Sequence, residues 1–227
     1  MPERRRHPSP RLAFILVACS TALLAAVGGY LLWFSPLFAV SEIDVSGTKL
    51  LSPEEVVAAS GVELGTPQPM IDTAAVADRV AGLSPVGKVR VSRIWPGKLE
   101  ISIAERSARL EIPYFDGYLF ADATGVVFDG GAKPGKGLLR VVSAPEDPQL
   151  LRGCLTAAES LSSATAKKLS YVSAQSTDSI TLHLDKGVIV NWGTAEQSAL
   201  KAQVVDALLK QDGRRYDVSV PASPTVR

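Results

Sequence analysis

The chain has 227 residues, 46% of them hydrophobic and 21% charged, so it is long enough to fold and too apolar to be disordered. Its formal net charge of +1 gives no reason to expect a nucleic-acid-binding protein. Two Cys and two His residues are too few for a disulfide scaffold and leave little material for a metal site.

A basic N-terminus precedes a long apolar segment. Residues 1–11 carry a net charge of +3, whereas the rest of the chain carries −2. No charged side chain occurs in residues 12–41, and a helix over 12–34 would be roughly 34 Å long, enough to cross a bilayer core of about 30 Å. The positive-inside rule then predicts a cytoplasmic tail (1–11), a single transmembrane helix (12–34) and extracytoplasmic domains after it.

A cleaved signal peptide is the alternative interpretation of this segment. Its apolar core would be about 7–15 residues long and would end at small residues. The segment here is longer and ends in the bulky pair Trp33-Phe34, which favours an uncleaved anchor.

Residues 40–106 predict a strand, two helices and two strands, in that order. Val40–Ser46 alternates as a strand, and Ser52-Pro53-Glu54-Glu55 is a capping box that begins a helix ending near Ser60. Asp72 is placed to cap the second helix. The final strand alternates apolar with polar side chains, and its apolar residues Leu99, Ile101 and Ile103 are expected in the core.

Residues 107–227 are richer in short strands separated by turns. A helix is predicted over 149–166, and a capping box at 194–197 predicts another, with Leu200, Val204 and Leu208 on its apolar face. Tyr216, Val218 and Val220 alternate in a final strand that Pro221 ends, and this apolar set is expected to pack on the core of its own domain. The fold class predicted is therefore α+β, with one transmembrane helix, a β-α-α-β-β domain and a strand-rich α+β domain.

No pattern in the sequence predicts a catalytic residue, a metal site, a cofactor or a small-molecule substrate. Gly130–Gly137 approaches a phosphate-binding loop but lacks the Ser or Thr after the Lys, so a surface loop is expected. His183 has no partner at ligand spacing and is expected to face solvent, and Cys154 is expected to be a buried apolar residue. Basic residues that could attract anionic partners or lipid, or simply form a solvated face, are Arg79, Lys88, Arg90, Arg93 and Lys98.

Several segments together resemble the FtsQ/DivIB family of bacterial cell-division proteins. They are VSEIDVSG at 40–47, VGKVRVSRIWP at 86–96 running into LEISIAER at 99–106, DATGVVF at 122–128, the region 193–208 with Lys201, and the final strand at 215–220. The resemblance extends over nearly the whole chain. Ser107 departs from it, since the family often has Pro after Glu-Arg.

The resemblance implies a POTRA domain over 40–106 and a β domain over 107–227. It further implies a non-catalytic scaffold of the divisome, essential for septum formation, that binds FtsB/DivIC-type and FtsL-type division proteins. Such a protein would be a single-pass type II protein of the plasma membrane, located at the division septum, with the lipid bilayer as its other partner.

In relatives, the FtsB-type partner adds a strand to the last strand of the β domain. By resemblance, the partner-binding residues here are Arg215, Tyr216, Asp217, Val218, Ser219 and Val220, with Trp192 nearby. An edge strand has unpaired N–H and C=O groups, which suits this mode of binding. A basic contact residue that some relatives carry has no counterpart, because Thr177 and Asp178 stand in its place.

Two other functional classes compete with the scaffold. One is a membrane-anchored exported enzyme, against which the missing catalytic patterns count. The other is a different POTRA-bearing envelope assembly protein. That second class would require a β-barrel of about sixteen strands at roughly ten residues each, and the residues after 106 are too few to form it.

Overall fold

A computed structural model describes residues 10–34 and 38–227. The first helix, α1, spans Pro10–Phe34, and apolar side chains along it, such as Phe14 and Leu24, are exposed. Within the described ranges, no helix combines the length and the apolarity that crossing a bilayer requires. Most of the predicted cytoplasmic tail, residues 1–9, lies outside the described ranges.

Residues 38–105 belong to the first of two compact units, which are divided between Glu105 and Arg106. Their elements confirm the predicted β-α-α-β-β order: β1 (Glu42–Ser46), α2 (Pro53–Ser60), α3 (Thr73–Ala81), β2 (Val86–Ile94) and β3 (Lys98–Glu105). Within these residues the strands form a three-stranded sheet. Its central strand, β3, runs parallel to β1 and antiparallel to β2.

Local sequence signals account for both helices of this unit. Ser52 and Glu55 form the predicted capping box, since the Ser52 hydroxyl accepts from the Glu55 N–H at 3.2 Å and the Glu55 carboxylate accepts from the Ser52 N–H at 2.8 Å. Asp72 accepts from the N–H groups of Ala74 and Ala75. The helices and the sheet share one core, which includes Val56, Val76, Val80, Leu99, Ile101 and Ile103.

Residues 106–227, all of them described, form the second unit on one mixed sheet of nine strands. The strands are β4 (Leu110–Tyr114), β5 (Gly117–Ala121), β6 (Val127–Gly131), β7 (Leu139–Val142), β8 (Leu169–Ser173), β9 (Ile180–Leu184), β10 (Ile189–Gly193), β11 (Arg215–Asp217) and β12 (Thr225–Val226). Their order in the sheet is β12-β11-β10-β9-β8-β7-β4-β5-β6, so β12 and β6 form its two edges. The helices are α4 (Pro148–Glu159), α5 (Ser163–Ala166) and α6 (Ser198–Leu208).

The structure corrects the predicted helices of this unit. The single helix predicted over 149–166 is two helices, because Ser162 accepts from the Thr165 N–H and so begins α5. The predicted capping box at 194–197 does not form, since α6 begins after Gln197, which has a left-handed φ of 54° and makes no side-chain cap. Leu200, expected in the core, is 48% exposed, while Lys201 is buried.

The Glu105-Arg106 pair stands at the boundary, and each side chain stabilises its own unit. The Glu105 carboxylate accepts from three successive N–H groups, those of residues 49–51, at 2.8–3.0 Å. Arg106 Nη1 lies 2.6 Å from the carboxylate of Asp122, which also accepts from the N–H groups of Thr124 and Val126. Burial opposes ionisation of both carboxyls, but these hydrogen bonds outweigh it and lower the pKa of Glu105 and of Asp122.

Truncation of the central strand tests the core of the first unit. Ile101 is fully buried on β3, so Ile101→Ala in the fragment 38–227 should lower the free energy of unfolding by about 2–5 kcal/mol. Lys88→Ala, on the exposed surface of β2, is the control and should change it by less than about 0.5 kcal/mol. Urea denaturation measures both, and equal losses would contradict the assigned face.

Candidate functional site

The predicted partner-binding segment, residues 215–220, is not a continuous edge strand. Only Arg215–Asp217 form a strand, β11. The Val218 N–H still donates to the Asn191 carbonyl of β10 at 2.9 Å, and residues 219–220 leave the sheet. β11 runs parallel to β10 on one side and antiparallel to β12 on the other. The expectation that 215–220 ends the sheet is therefore wrong, because Thr225–Val226 of the same chain pair with the edge that was expected to be free.

The outermost strand at this end of the sheet is β12. Arg215 and Arg227 exchange two backbone hydrogen bonds, each 2.9 Å long. In an antiparallel ladder the adjacent pair, here Tyr216 and Val226, makes no such exchange. The N–H and C=O of Val226 therefore point away from β11, towards the outside of the sheet.

Side chains of residues 216–220 follow the predicted alternation only in part. Tyr216 and Val218 are buried as predicted, and the Tyr216 hydroxyl lies 2.9 Å from the carbonyl oxygens of Gln211 and Gly213. Val220, also predicted in the core, is 60% exposed. The alternation fails there because the chain has already left the sheet, so the two-residue period of a strand no longer applies.

Asp217 organises the turn that follows β11. Its carboxylate accepts from the backbone N–H of Ser219 at 2.9 Å, from the Ser219 hydroxyl at 2.6 Å and from the Asn191 side chain at 2.8 Å. Burial opposes ionisation, but these bonds and the nearby positive charge of Arg227 together lower the pKa of Asp217. Since the Ser219 N–H is already bonded, it is not a free donor for a partner strand.

Trp192 is placed in the core behind β11. Its side chain is fully buried, and its indole Nε1 donates to the Ser198 hydroxyl at 3.1 Å. The same cluster contains Tyr216 and Val218, the buried residues of the predicted site. Trp192 therefore presents no side-chain surface to a partner and belongs to the packing that supports β11.

Lys201 is a buried cation in the segment 193–208, one of the segments that resemble the family. Its side chain is 2% exposed, and Nζ donates to the carbonyl oxygens of Trp192 and Thr194, both at 2.9 Å. Burial lowers the pKa of Lys201, against the opposing negative charges of Glu196 and Asp217. The ammonium thus fixes the segment that joins β10 to α6.

Gly193, between those two carbonyl groups, is needed for close packing. Its φ is +71°, and a Cβ built there would lie 2.9 Å from the Cβ of Ser219. A larger residue would therefore be strained and would push the turn after β11 away from β10.

The surroundings of β12 are basic. Arg214, Arg215 and Arg227 are all exposed, and Arg215 and Arg227 border a shallow groove together with Asp217 and Thr225. The backbone groups of Val226 are therefore presented beside positive side chains. Such an edge favours an extended partner segment with acidic side chains.

The other residues singled out in the sequence have structural roles. His183, expected to face solvent, is instead partly buried, stacks on Tyr171 and lies 2.8 Å from the Ser173 hydroxyl; burial lowers its pKa. Cys154 is buried as predicted, and burial raises its pKa to about 12. In the glycine-rich segment 130–137, Gly130 and Gly131 end β6, and only residues 132–137 form the predicted loop, which is largely exposed. In the part of the chain that is described, no group of three or more His, Cys, Asp or Glu side chains could hold a metal ion.

Comparison with protein families matches both units of the chain. Residues 38–106 match the POTRA domain, FtsQ-type, and residues 112–220 match the C-terminal domain of cell division protein FtsQ/DivIB. The chain belongs to the FtsQ/DivIB family of cell division proteins. The resemblance stated from the sequence is confirmed, and membership of this family decides against a different POTRA-bearing assembly protein.

Curated FtsQ proteins are similar over most of this chain. The cell division protein FtsQ of Mycobacteroides abscessus is 39% identical over 218 residues, which cover 95% of this chain and 70% of that protein. FtsQ of Streptomyces bingchenggensis is 35% identical over 236 residues, covering 98% and 89%. FtsQ of Mycobacterium tuberculosis strain H37Rv is 38% identical over 213 residues, covering 92% and 68%.

The strand β12 is the part of the site that sequence reasoning missed. Thr225 and Val226 lie between Pro224 and Arg227, and two residues are too few to show alternation. Lys201 was missed because a lysine in an amphipathic helix is ordinarily solvent-exposed. Gly193, which ends β10, and Pro221, which lies between β11 and β12, are local signals of this arrangement.

Removing the buried ammonium tests its role. Lys201→Met keeps the apolar stem but leaves the carbonyls of Trp192 and Thr194 without this donor, so the fragment 38–227 should lose about 2–5 kcal/mol of stability. Lys210→Met, on the exposed end of the same helical region, is the matched control, with a change below about 0.5 kcal/mol. Thermal and urea unfolding measure the difference, and a stable Lys201→Met protein would show that the two bonds are dispensable.

Proposed function

We propose that this protein is a non-catalytic, single-pass membrane scaffold of the divisome, essential for septum formation, that recruits FtsB/DivIC-type and FtsL-type proteins. The observation that carries the proposal is the open edge of the nine-stranded sheet at β12, where Val226 directs its N–H and C=O outward. Family membership supports the role in division.

The chain is organised, in this proposal, as a cytoplasmic tail (1–11), a membrane anchor (12–34), a POTRA-like domain (40–106) and a β domain (107–227). Support for the anchor comes from the charge-free run over 12–41, from the +3 tail before it and from the helical conformation of Pro10–Phe34. The two large domains then lie outside the cytoplasm at the plasma membrane of the septum.

The partner binds by adding a strand to β12. Main-chain bonds to the N–H and C=O of Val226 supply affinity, and the neighbouring side chains supply selectivity. Exposed Arg214, Arg215 and Arg227 pair with acidic side chains of an FtsB/DivIC-type segment. Val220, 60% exposed beside the turn after β11, adds an apolar contact.

The residues predicted from the sequence to bind the partner fall into two groups in this proposal. Arg215, Asp217, Ser219 and Val220 have accessible surface, and the first two border the groove beside β12, whereas Tyr216, Val218 and Trp192 are buried and support this edge. Substitutions in the second group act on binding through stability, and substitutions in the first act on binding directly.

Removal of the outward N–H of Val226 tests strand addition. Val226→Pro deletes this donor without deleting an N–H that bonds to β11, and a lost bond to the partner of about 1–3 kcal/mol weakens binding roughly 5- to 150-fold. Val226→Ala, which keeps the N–H and loses the same packing, is the matched control and should bind within about threefold of wild type. Fluorescence anisotropy with the extracytoplasmic part of an FtsB/DivIC-type protein measures both affinities.

Deletion of residues 225–227 distinguishes a partner strand that is added beside β12 from one that takes the place of β12. If the partner extends the sheet beyond β12, the shortened chain binds less tightly. Tighter binding of the shortened chain would show that the partner displaces β12 and pairs with Arg215 and Asp217. Equal affinity of wild type, Val226→Pro and the shortened chain would exclude this edge altogether.

The membrane topology is tested in intact cells. Protease added to spheroplasts should degrade the two large domains and spare a tag placed before residue 1, because the +3 tail is held in the cytoplasm. N-terminal sequencing of the membrane-bound protein should give the unprocessed terminus. A mature N-terminus between about residues 26 and 40 would establish a cleaved signal peptide instead.

A further inference from the structure

The first unit carries an apolar surface at one end of its sheet. Between residues 38 and 105, the exposed large hydrophobic side chains are Leu50, Leu64, Met70, Ile94 and Trp95. All except Leu50 lie in segments that are bonded either to residues 38–42, which lead into β1, or to the turn between β2 and β3. We call Phe38, Leu64, Met70, Ile94 and Trp95 the apolar tip.

Direct contacts hold the tip residues around this leading segment. The ring of Phe38 meets that of Trp95 edge to face, with centroids 5.7 Å apart. The N–H of Gly65, next to Leu64, donates to the Val40 carbonyl at 2.8 Å. The turn between β2 and β3 is bonded to the same segment, since Ser41 N–H donates to the Gly97 carbonyl at 2.7 Å.

Gln68 joins the remaining tip residues to that turn. Its side chain is fully buried, and its amide donates to the carbonyls of Ile94 and Lys98 at 3.3 and 2.8 Å while accepting from the Gly97 N–H at 3.0 Å. Met70 ends a short 3₁₀ helix of one turn that begins at Gln68. The apolar tip is therefore a fixed surface, and the side-chain amide of Gln68 beneath it is hydrogen-bonded.

Chain length keeps the tip close to the proposed anchor. Helix α1 ends at Phe34, and only three residues, 35–37, separate it from Phe38. Four Cα–Cα steps of about 3.8 Å place the Cα of Phe38 within roughly 15 Å of the Cα of Phe34, whatever path the chain takes. The headgroup region of a bilayer leaflet begins within that reach, since the full bilayer exceeds its apolar core by about 10–15 Å.

We propose that the apolar tip is a membrane-contact site, which inserts Trp95 and its neighbours into the headgroup region of the bilayer that holds the anchor. The inference rests on the proposed anchor and adds a second attachment to it. Trp and Phe rings favour this region, and exposed apolar side chains of a soluble surface gain from entering it. A lipid surface is favoured over a protein because the short connection keeps Phe38, the first residue of the apolar tip, within roughly 15 Å of the end of the proposed anchor.

Quenching of Trp95 by brominated lipid tests the contact in the full chain. The protein is reconstituted in phospholipid nanodiscs with or without brominated acyl chains, in a Trp33→Phe background that removes the tryptophan of the anchor. Trp192 is fully buried and serves as the unquenched reference. Brominated lipid should decrease the emission of Trp33→Phe and leave Trp33→Phe/Trp95→Phe unchanged.

A charge placed in the tip supplies the matched comparison. Leu64→Glu and Met70→Glu should each reduce the quenching of Trp95, because a carboxylate resists entry into the interface. Leu50→Glu should leave it unchanged, since the Leu50 N–H is bonded to Glu105, at the far end of β3 from the tip. Circular dichroism confirms that each variant is folded.

The outcomes separate this inference from the proposed anchor. Release of the protein from the discs by alkaline carbonate would overturn both. Firm incorporation with equal Trp95 emission in plain and brominated lipid would overturn the contact site and leave the anchor standing. If brominated lipid quenches Trp95 and adding an FtsB/DivIC-type protein removes the quenching, the tip contacts lipid in the free protein. If the emission of Trp95 changes on adding that protein but not with brominated lipid, the tip is a protein-binding surface and the inference is wrong.

Discussion

Backbone pairing across the nine-stranded sheet is the constraint on which the second unit depends. Every strand from β11 to β5 in the sheet order has a neighbouring strand on both sides, so only β12 and β6 are edge strands. At one edge the chain adds only the two-residue strand Thr225–Val226. The open groups of Val226 follow directly from that termination, and the proposed recruitment of a division partner uses them.

The edge is supported by a polar arrangement inside an apolar core. Lys201 donates to the carbonyl groups of Trp192 and Thr194 at the end of β10, and Gly193 between them lets Ser219 approach closely. Asp217 closes the turn after β11 on the other side of this contact. A buried charge is costly unless it is well bonded, and here the two carbonyl groups provide that bonding behind the edge.

The POTRA-like unit differs in how it presents its surface. Its helices cover one face of a three-stranded sheet, and its exposed apolar residues collect mainly at the end where the chain enters. Gln68 makes this possible by satisfying the backbone of the turn between β2 and β3 from beneath. Trp95 and Ile94 are thereby left free of the core and available for an external apolar environment.

Local chemistry in the sequence by itself determined the β-α-α-β-β unit, since Ser52 and Asp72 cap their helices and Ile101 alternates within its strand whatever the rest of the chain does. The family resemblance was likewise carried by short contiguous segments. Only the tertiary structure decided that β11 is interior, that Val220 is exposed and that Lys201 is buried. Those outcomes depend on pairing and packing between residues distant along the chain, for which periodicity in a single segment contains no information.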